Sequence, residues 1–275
     1  MRSAGLSVPH KPALRVALIG WGAIGRTVGR MLVDANVEIV AVGVRDTLAE
    51  RAGVPASATV ISDPSELAAF HPDVVAEAAG RDSVEPWGRA ALEMGADFIC
   101  SSMSAFADSS ILDALRKLAE EHGGQIHIQP GALGGIDALS GAMRMGVDEV
   151  EHRMVKPPKA WIGTPAEELC DLNAITEPTT FFTASAAEAA SAFPKNANVA
   201  MTTALAGIGP ERTMITLVAD PTATTNRHEI SAHGAFGRLD VAIANNPLPD
   251  NPKTSAMAAL NLVRSIENRV TAIRI

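Results

Sequence analysis

The sequence predicts an α/β chain in which a doubly wound parallel sheet is followed by a smaller α+β domain, and three observations predict it. From Leu14 to Ile128, short apolar runs alternate with segments of helical period, the pattern of parallel strands covered by helices. A glycine cluster, Gly20-Trp21-Gly22-Ala23-Ile24-Gly25, lies between the first run and the first helical segment. After Pro130 the pattern changes to strand-like runs interrupted by Pro157-Pro158 and an Ala-rich helical segment.

Taken in order, Leu14 to Ile19 reads as a buried strand, and Ile24, Val28, Met31, Leu32 and Ala35 then share one helical stripe. Further strands are expected at Val37 to Val44, Thr59 to Ile61, Val74 to Ala78, Phe98 to Cys100 and Gln125 to Ile128, which completes a doubly wound sheet. Asp63, Pro64 and Glu66 are spaced as a capping box that starts a connecting helix. In the second half, Val147 to Val155 reads as a strand and Ser185 to Ala192 as a helix. Met214 to Ala219, His228 to His233 and Arg238 to Ala244 read as an antiparallel meander, with Gly234 and Gly237 at a turn. Asn251-Pro252-Lys253-Thr254-Ser255 is expected to open a last helix that docks back on the first domain, with Met257, Leu260, Val263, Ile266 and Val270 at roughly helical spacing. The expected division is a dinucleotide-binding domain over 1–131, rejoined by 247–275, and an α+β substrate and dimerisation domain over 132–246.

Composition narrows the function classes. A chain of 275 residues with 47% hydrophobic and 20% charged residues is large enough for two packed domains. Its 31 acidic and 23 basic side chains give a net charge of -8 without a Lys/Arg-rich stripe, which argues against nucleic acid as a partner. No apolar run approaches the length of a membrane span, and Met1 to Pro12 lacks the apolar core of a signal peptide, so a cytoplasmic, membrane-free protein is expected. Cys100 and Cys170 lack metal-ligand spacing and are expected to be reduced and packed, with no metal site.

The glycine cluster matches G-x-G-x-x-G in the strand-turn-helix context that gives the motif its meaning. Gly20 permits the tight turn, Gly22 lets the backbone approach a pyrophosphate, and Gly25 allows close packing of helix on strand. Ala23 and Ile24 open the helix, whose free N–H groups favour phosphate. After the second strand, Asp46 can hold a ribose 2′-hydroxyl, while Arg45 can neutralise a 2′-phosphate, stack on adenine or face solvent. NAD and NADP therefore both remain open. Glu77, at the end of the fourth strand, lies where ligands bind in such sheets and serves equally well as a structural hydrogen-bond acceptor.

A nicotinamide site needs a second domain that holds the hydride partner and handles the accompanying proton. Of seven histidines, His228 stands out at the start of a strand, in Thr225-Asn226-Arg227-His228-Glu229-Ile230, sharing a face with Ile230 and Ala232. Imidazole titrates near neutrality and suits proton exchange, although a histidine on an apolar strand face is more often a satisfied core residue.

Three separated segments carry a family resemblance: Phe193-Pro194-Lys195-Asn196-Ala197-Asn198-Val199-Ala200; Ala219-Asp220-Pro221 with Asn226 to Ile230; and Asn246-Pro247 with Asn251 to Ser255. Together they resemble the L-aspartate dehydrogenase family from Leu14 onward. The resemblance implies an N-terminal Rossmann domain, an α+β substrate domain, a homodimer, and NAD(P)-dependent interconversion of L-aspartate and iminoaspartate, with a link to pyridine nucleotide biosynthesis. It implies His228 as the catalytic histidine and Ala132 and Asn198 as cofactor contacts. The family's Pro-Ser-Gly-Ala turn is replaced here by Gln129-Pro130-Gly131-Ala132, without the serine. Lys195 and Lys253 are expected as candidate cations for the two substrate carboxylates, since a dicarboxylate buried without cations is costly. The alternatives are a reductase resembling dihydrodipicolinate reductase or homoserine dehydrogenase, and a dinucleotide sensor without catalysis.

Overall fold

The computed structural model describes residues 12–49 and 51–274, without the side chains of Lys195, Pro252 and Lys253. The stretch Met1 to Lys11, read above for a signal core, and the side chains of the two candidate lysines lie outside the described residues. Among the described residues no helix is long and apolar enough to cross a membrane.

Six parallel strands form the first sheet: β1 (Leu14–Ile19), β2 (Val37–Gly43), β3 (Thr59–Ile61), β4 (Val74–Glu77), β5 (Asp97–Cys100) and β6 (Ile126–Ile128). They stand in the order β3-β2-β1-β4-β5-β6, so the chain reverses direction across the sheet between β1 and β4, where doubly wound sheets bind ligands. Alternate residues of β1 feed opposite cores. Val16 and Leu18 pack with one cluster, while Ala17 and Ile19 pack with the other. Helix α1 (Ala23–Met31) covers the first face; α2 (Arg81–Glu93) and α3 (Ser109–His122) cover the second. The Asp63 and Glu66 capping box forms as expected, at the head of a 3-10 helix, Pro64–Phe70.

Helix α1 is shorter than its apolar stripe suggested. It ends at Met31, whose side chain is 47% exposed, and Leu32 takes the cap position and is buried. Ala35 lies past the helix end.

The second half supplies α4 (Ile136–Ala142), β7 (Val147–Lys156), α5 (Ala166–Leu169), β8 (Thr179–Ser185), α6 (Ala186–Ala192), α7 (Ala197–Ala206), β9 (Met214–Ala219), β10 (Asn226–Gly234) and β11 (Gly237–Asn245). Its mixed sheet has the order β11-β10-β7-β9-β8. The expected meander is corrected here. Strands β10 and β11 do form an antiparallel hairpin, but β9 does not join them, because β7 lies between, antiparallel to β10 and parallel to β9. Periodicity reports which face a residue occupies and says nothing of which strand lies beside it.

Asn251 to Ser255 also differs from expectation. It forms a strand, β13 (Asn251–Ser255), paired with β12 (Pro247–Leu248), and only Ser255 acts as N-cap of α8 (Ala256–Glu267). The apolar face of α8 is Ala259, Leu262, Val263 and Ile266, packed with Val16, Leu18 and Val28; Leu260 is 41% exposed and Val270 lies beyond the helix. Helix α8 therefore adds to the cover of the first sheet on the face that α1 occupies. Burial of a residue such as Leu262 or Ile266 contributes about 1.5–3 kcal/mol.

Candidate active site

At the carboxyl ends of β1, β2 and β4 lies a cavity of about 660 Å³, lined by Gly20, Gly22, Arg45, Asp46 and the Ala78 to Ser83 loop. Gly20 has φ +98°, and a Cβ there would stand 2.7 Å from the Ala78 carbonyl oxygen. A Cβ on Gly25 would stand 2.0 Å from the Gly20 carbonyl oxygen, so that glycine is fixed by helix-to-strand approach. At Gly22 the space is open, and this residue caps α1 with no side-chain bond, which leaves the first-turn N–H groups for an anion. Ala23 and Ile24 are the first two residues of α1. These features fit a dinucleotide pyrophosphate.

Arg45 and Asp46 are both exposed, and Asp46 Oδ1 accepts the Leu48 N–H at 2.9 Å. Arg51, Ser62 and Arg81 line the same cavity. Glu77 is a structural acceptor: fully buried, its carboxylate takes bonds from the Ala79, Gly80 and Ser102 N–H groups and from the Ser83 and Ser102 hydroxyls, at 2.8–3.0 Å. It ties the β4–α2 loop to the end of β5. The buried Cys100 thiol is pushed well up by burial first and by the Glu77 charge second, which keeps it protonated.

The turn that lacks serine is held by amides. Gln129 Oε1 accepts the Gly131 N–H at 3.0 Å, Asn261 Nδ2 donates to the Gly131 carbonyl at 2.7 Å, and Asn245 Nδ2 donates to the Ala132 carbonyl at 3.0 Å. Asn198 sits in the first turn of α7, and its Oδ1 accepts the Ser104 N–H at 2.9 Å, so it bridges the two halves of the chain.

His228 is buried on β10, 6% exposed. Register pairs it with Met154, and pairs Ile230 with His152, so His152 lies diagonally across the same sheet face. The two rings meet with His152 Nε2 and His228 Nδ1 3.0 Å apart. His152 Nδ1 is in turn 2.9 Å from the Thr203 hydroxyl of α7. Burial, and then the charge of Lys156, pushes His228 down to about 3. Burial and the second ring hold His152 well below the usual histidine range. Both are neutral at physiological pH.

Lys156, at the end of β7, bonds Asn196 Oδ1 and stands 4.5 Å from the centre of the Trp161 ring. Burial lowers it to about 8. No carboxylate is in ion-pair reach of it among the described residues. A partly buried ammonium lacking a carboxylate partner, beside a neutral histidine, is equipped to receive an anionic ligand.

Sequence reasoning found His228 but missed His152, Thr203 and Lys156. The signal for His152 was present: it is a polar residue between Val150 and Met154 on the apolar face of a strand with period two. Lys156 is followed by Pro157-Pro158 and read only as a strand end. Among the described residues no group of three His, Cys, Asp or Glu is placed to hold a metal ion.

Residues 137–269 match the family model described as aspartate dehydrogenase, C-terminal, and residues 20–129 match the one described as homoserine dehydrogenase, NAD binding domain. The chain is 55% identical over 257 residues to an L-aspartate dehydrogenase of Brucella anthropi, covering 93% of this chain and 96% of that protein. It is 39% identical over 262 residues to an L-aspartate dehydrogenase of Acinetobacter baumannii, covering 95% and 99%. The crystal structure of aspartate dehydrogenase from Thermotoga maritima is similar with a TM-score of 0.76 at 26% identity, covering 95% of this chain and 99% of that one.

Proposed function

The chain belongs to the L-aspartate dehydrogenase family, and on that premise we propose that His228 is its acid/base and Lys156 a cation for a substrate carboxylate. The protein is an oxidoreductase that oxidises L-aspartate with NAD or NADP. The reductase and sensor alternatives give way to this reading, the first of them having reflected the shared cofactor domain.

A bound dinucleotide would supply the hydride acceptor for the substrate Cα. Gly20, Gly22, Gly25, Ala23 and Ile24 would hold its pyrophosphate, Arg45 and Asp46 would serve its ribose, and Ala132 and Asn198 would be further contacts, as the family resemblance implies. The chain's own work is positioning and proton transfer. Lys156 holds a carboxylate by charge-assisted hydrogen bonding. His228, whose Nδ1 is engaged by His152, takes a proton at Nε2 from the substrate nitrogen as the imine forms. In reverse, the same proton is returned as oxaloacetate is aminated.

The observation that carries this reading is a buried, neutral histidine whose Nε2 has no hydrogen-bond partner among the described residues, within the electrostatic influence of a Lys156 ammonium that has no carboxylate partner among them either. The domain division at 131/132, with 247–275 returning to the first domain, belongs to the proposal. So do a homodimer, a cytoplasmic location, the absence of nucleic-acid and membrane partners, and a role for iminoaspartate in pyridine nucleotide biosynthesis. Lys195 and Lys253 stay as candidates for the second carboxylate.

Reduced cofactor should form on mixing with L-aspartate and either NAD or NADP, with D-aspartate, L-glutamate and L-homoserine inactive. His228→Ala should lower kcat about 10²- to 10⁴-fold while leaving dinucleotide affinity unchanged in a fluorescence titration. Unchanged turnover in that variant would remove His228 from the mechanism.

A further inference from the structure

We infer that His152 and Thr203 are positioning residues that hold His228 in the tautomer with its proton on Nδ1, leaving Nε2 as the base, in a chain that ends inside helix α7. The inference rests on the reading of His228 as acid/base and names what sets its protonation state.

The geometry is a line of four groups. His228 Nδ1 lies 3.0 Å from His152 Nε2, His152 Nδ1 lies 2.9 Å from Thr203 Oγ1, and Thr203 Oγ1 lies 3.1 Å from the Val199 carbonyl oxygen one helical turn earlier. His152 and Thr203 are both fully buried, so water does not supply alternative partners at these atoms. A carbonyl only accepts, and each neutral imidazole carries one N–H. Two directions satisfy these constraints to different extents.

In the first direction, Thr203 donates to Val199, His152 Nδ1–H donates to Thr203, and His228 Nδ1–H donates to His152 Nε2. Every contact in the line is then a hydrogen bond, and His228 Nε2 keeps a lone pair. In the second direction, Thr203 donates to His152 Nδ1 and His152 Nε2–H donates to His228 Nδ1, so the Val199 contact carries no hydroxyl proton and His228 presents Nε2–H. The first direction makes one more hydrogen bond in a fully buried place, where each is electrostatically strong. It also supplies what proton abstraction needs, an unprotonated nitrogen facing outward from the line.

The end of the line has a further consequence. When Nε2 gains a proton from the substrate nitrogen, the resulting imidazolium already directs Nδ1–H at a neutral acceptor. A backbone carbonyl cannot take a proton onward, so the proton is not exported through α7 and leaves by the face at which it arrived. His152 and Thr203 orient and stabilise and are not themselves the base. The charged or titratable groups that face His228 are His152 and Lys156, both from β7.

The test is nitrogen NMR of histidine-labelled protein near neutral pH, with His228 assigned by its absence in His228→Gln. Wild type should show His228 protonated on Nδ1 and bare at Nε2. Thr203→Val keeps the side-chain shape and removes the acceptor for His152. It should move His228 toward the Nε2–H form and lower kcat roughly tenfold or more, the scale of one lost hydrogen bond. KM for L-aspartate and dinucleotide affinity should stay within about twofold, a split that a general loss of packing would not give. Thr203→Ser should restore both the tautomer and kcat. A wild-type His228 bare at Nδ1, or a Thr203→Val enzyme with unchanged tautomer and kcat, overturns the inference. Because the tautomer is read without turnover, this failure is separable from full activity in His228→Ala, which would overturn the acid/base reading instead.

Discussion

Lys156 shows how a single side chain sets a pH response. Its proton is held less tightly than that of a free lysine because burial disfavours the charged form, and its value falls to about 8. Trp161 and Asn196 face the ammonium, and His228 is the titratable neighbour. Below about pH 8 the group is charged and attracts a carboxylate; above it the amine is neutral and that attraction is lost. Succinate, which has both carboxylates but no titrating amine, should therefore bind progressively more weakly as pH rises through about 8. Lys156→Met should bind it about tenfold or more weakly at neutral pH, with a flat profile across that range. Identical profiles for the two proteins would count against Lys156 as the anion receptor. Nothing local in Val155-Lys156-Pro157 announces this role, because it depends on Trp161 and Asn196 being brought around the amine.

At the scale of an element, the β1–α1 turn separates two kinds of glycine. Gly25 is required by packing, since a Cβ there would overlap the Gly20 carbonyl oxygen at 2.0 Å. At Gly22 the fold itself makes no such demand, since a Cβ there meets no protein atom within 4 Å, and the proposed approach of a pyrophosphate to the backbone would supply the requirement instead. Gly25→Ala should destabilise the fold, with a lower thermal midpoint and a cost of about 1–3 kcal/mol. Gly22→Ala should melt with wild-type behaviour and bind dinucleotide poorly. Equal melting of the two variants would show that the turn relaxes around a methyl group. The glycine pattern was legible in the sequence because tight turns and helix-to-strand approach constrain local residue types directly. The placement of β7 between β9 and β10 was not, since hydrogen-bonding partners are chosen across the chain and alternation is the same whichever neighbour a strand takes.

For the whole molecule, burying two neutral histidines has a cost on acidification. His228 is lowered to about 3 and His152 well below its usual range, both chiefly by burial, and His127 is lowered for the same first reason. Between those folded values and about 6.5 the unfolded chain binds more protons than the folded one, so stability rises with pH in that window and falls as pH drops through it. Each such proton contributes a slope of up to about 1.4 kcal/mol per pH unit. Urea midpoints should therefore decline from about pH 6.5 downward, with a shallower decline in His228→Gln. The lowered carboxylates Asp63, Asp108 and Asp220 act in the same sense only nearer pH 4 and below. An undiminished slope in that variant would mean the histidine is not the group being titrated.

The sequence by itself determined the six strands of the first sheet, the glycine turn and the family, since each is written in residues close together or in segments whose identity is enough. It singled out His228 as well. Only the tertiary structure decided what His228 touches. His152 lies 76 positions away along the chain, and Thr203 belongs to a different element. Their meeting depends on the register of β7 against β10 and on the packing of α7 over that sheet face. Such contacts arise from the joint burial of distant segments, and no local pattern of charge or hydrophobicity encodes them.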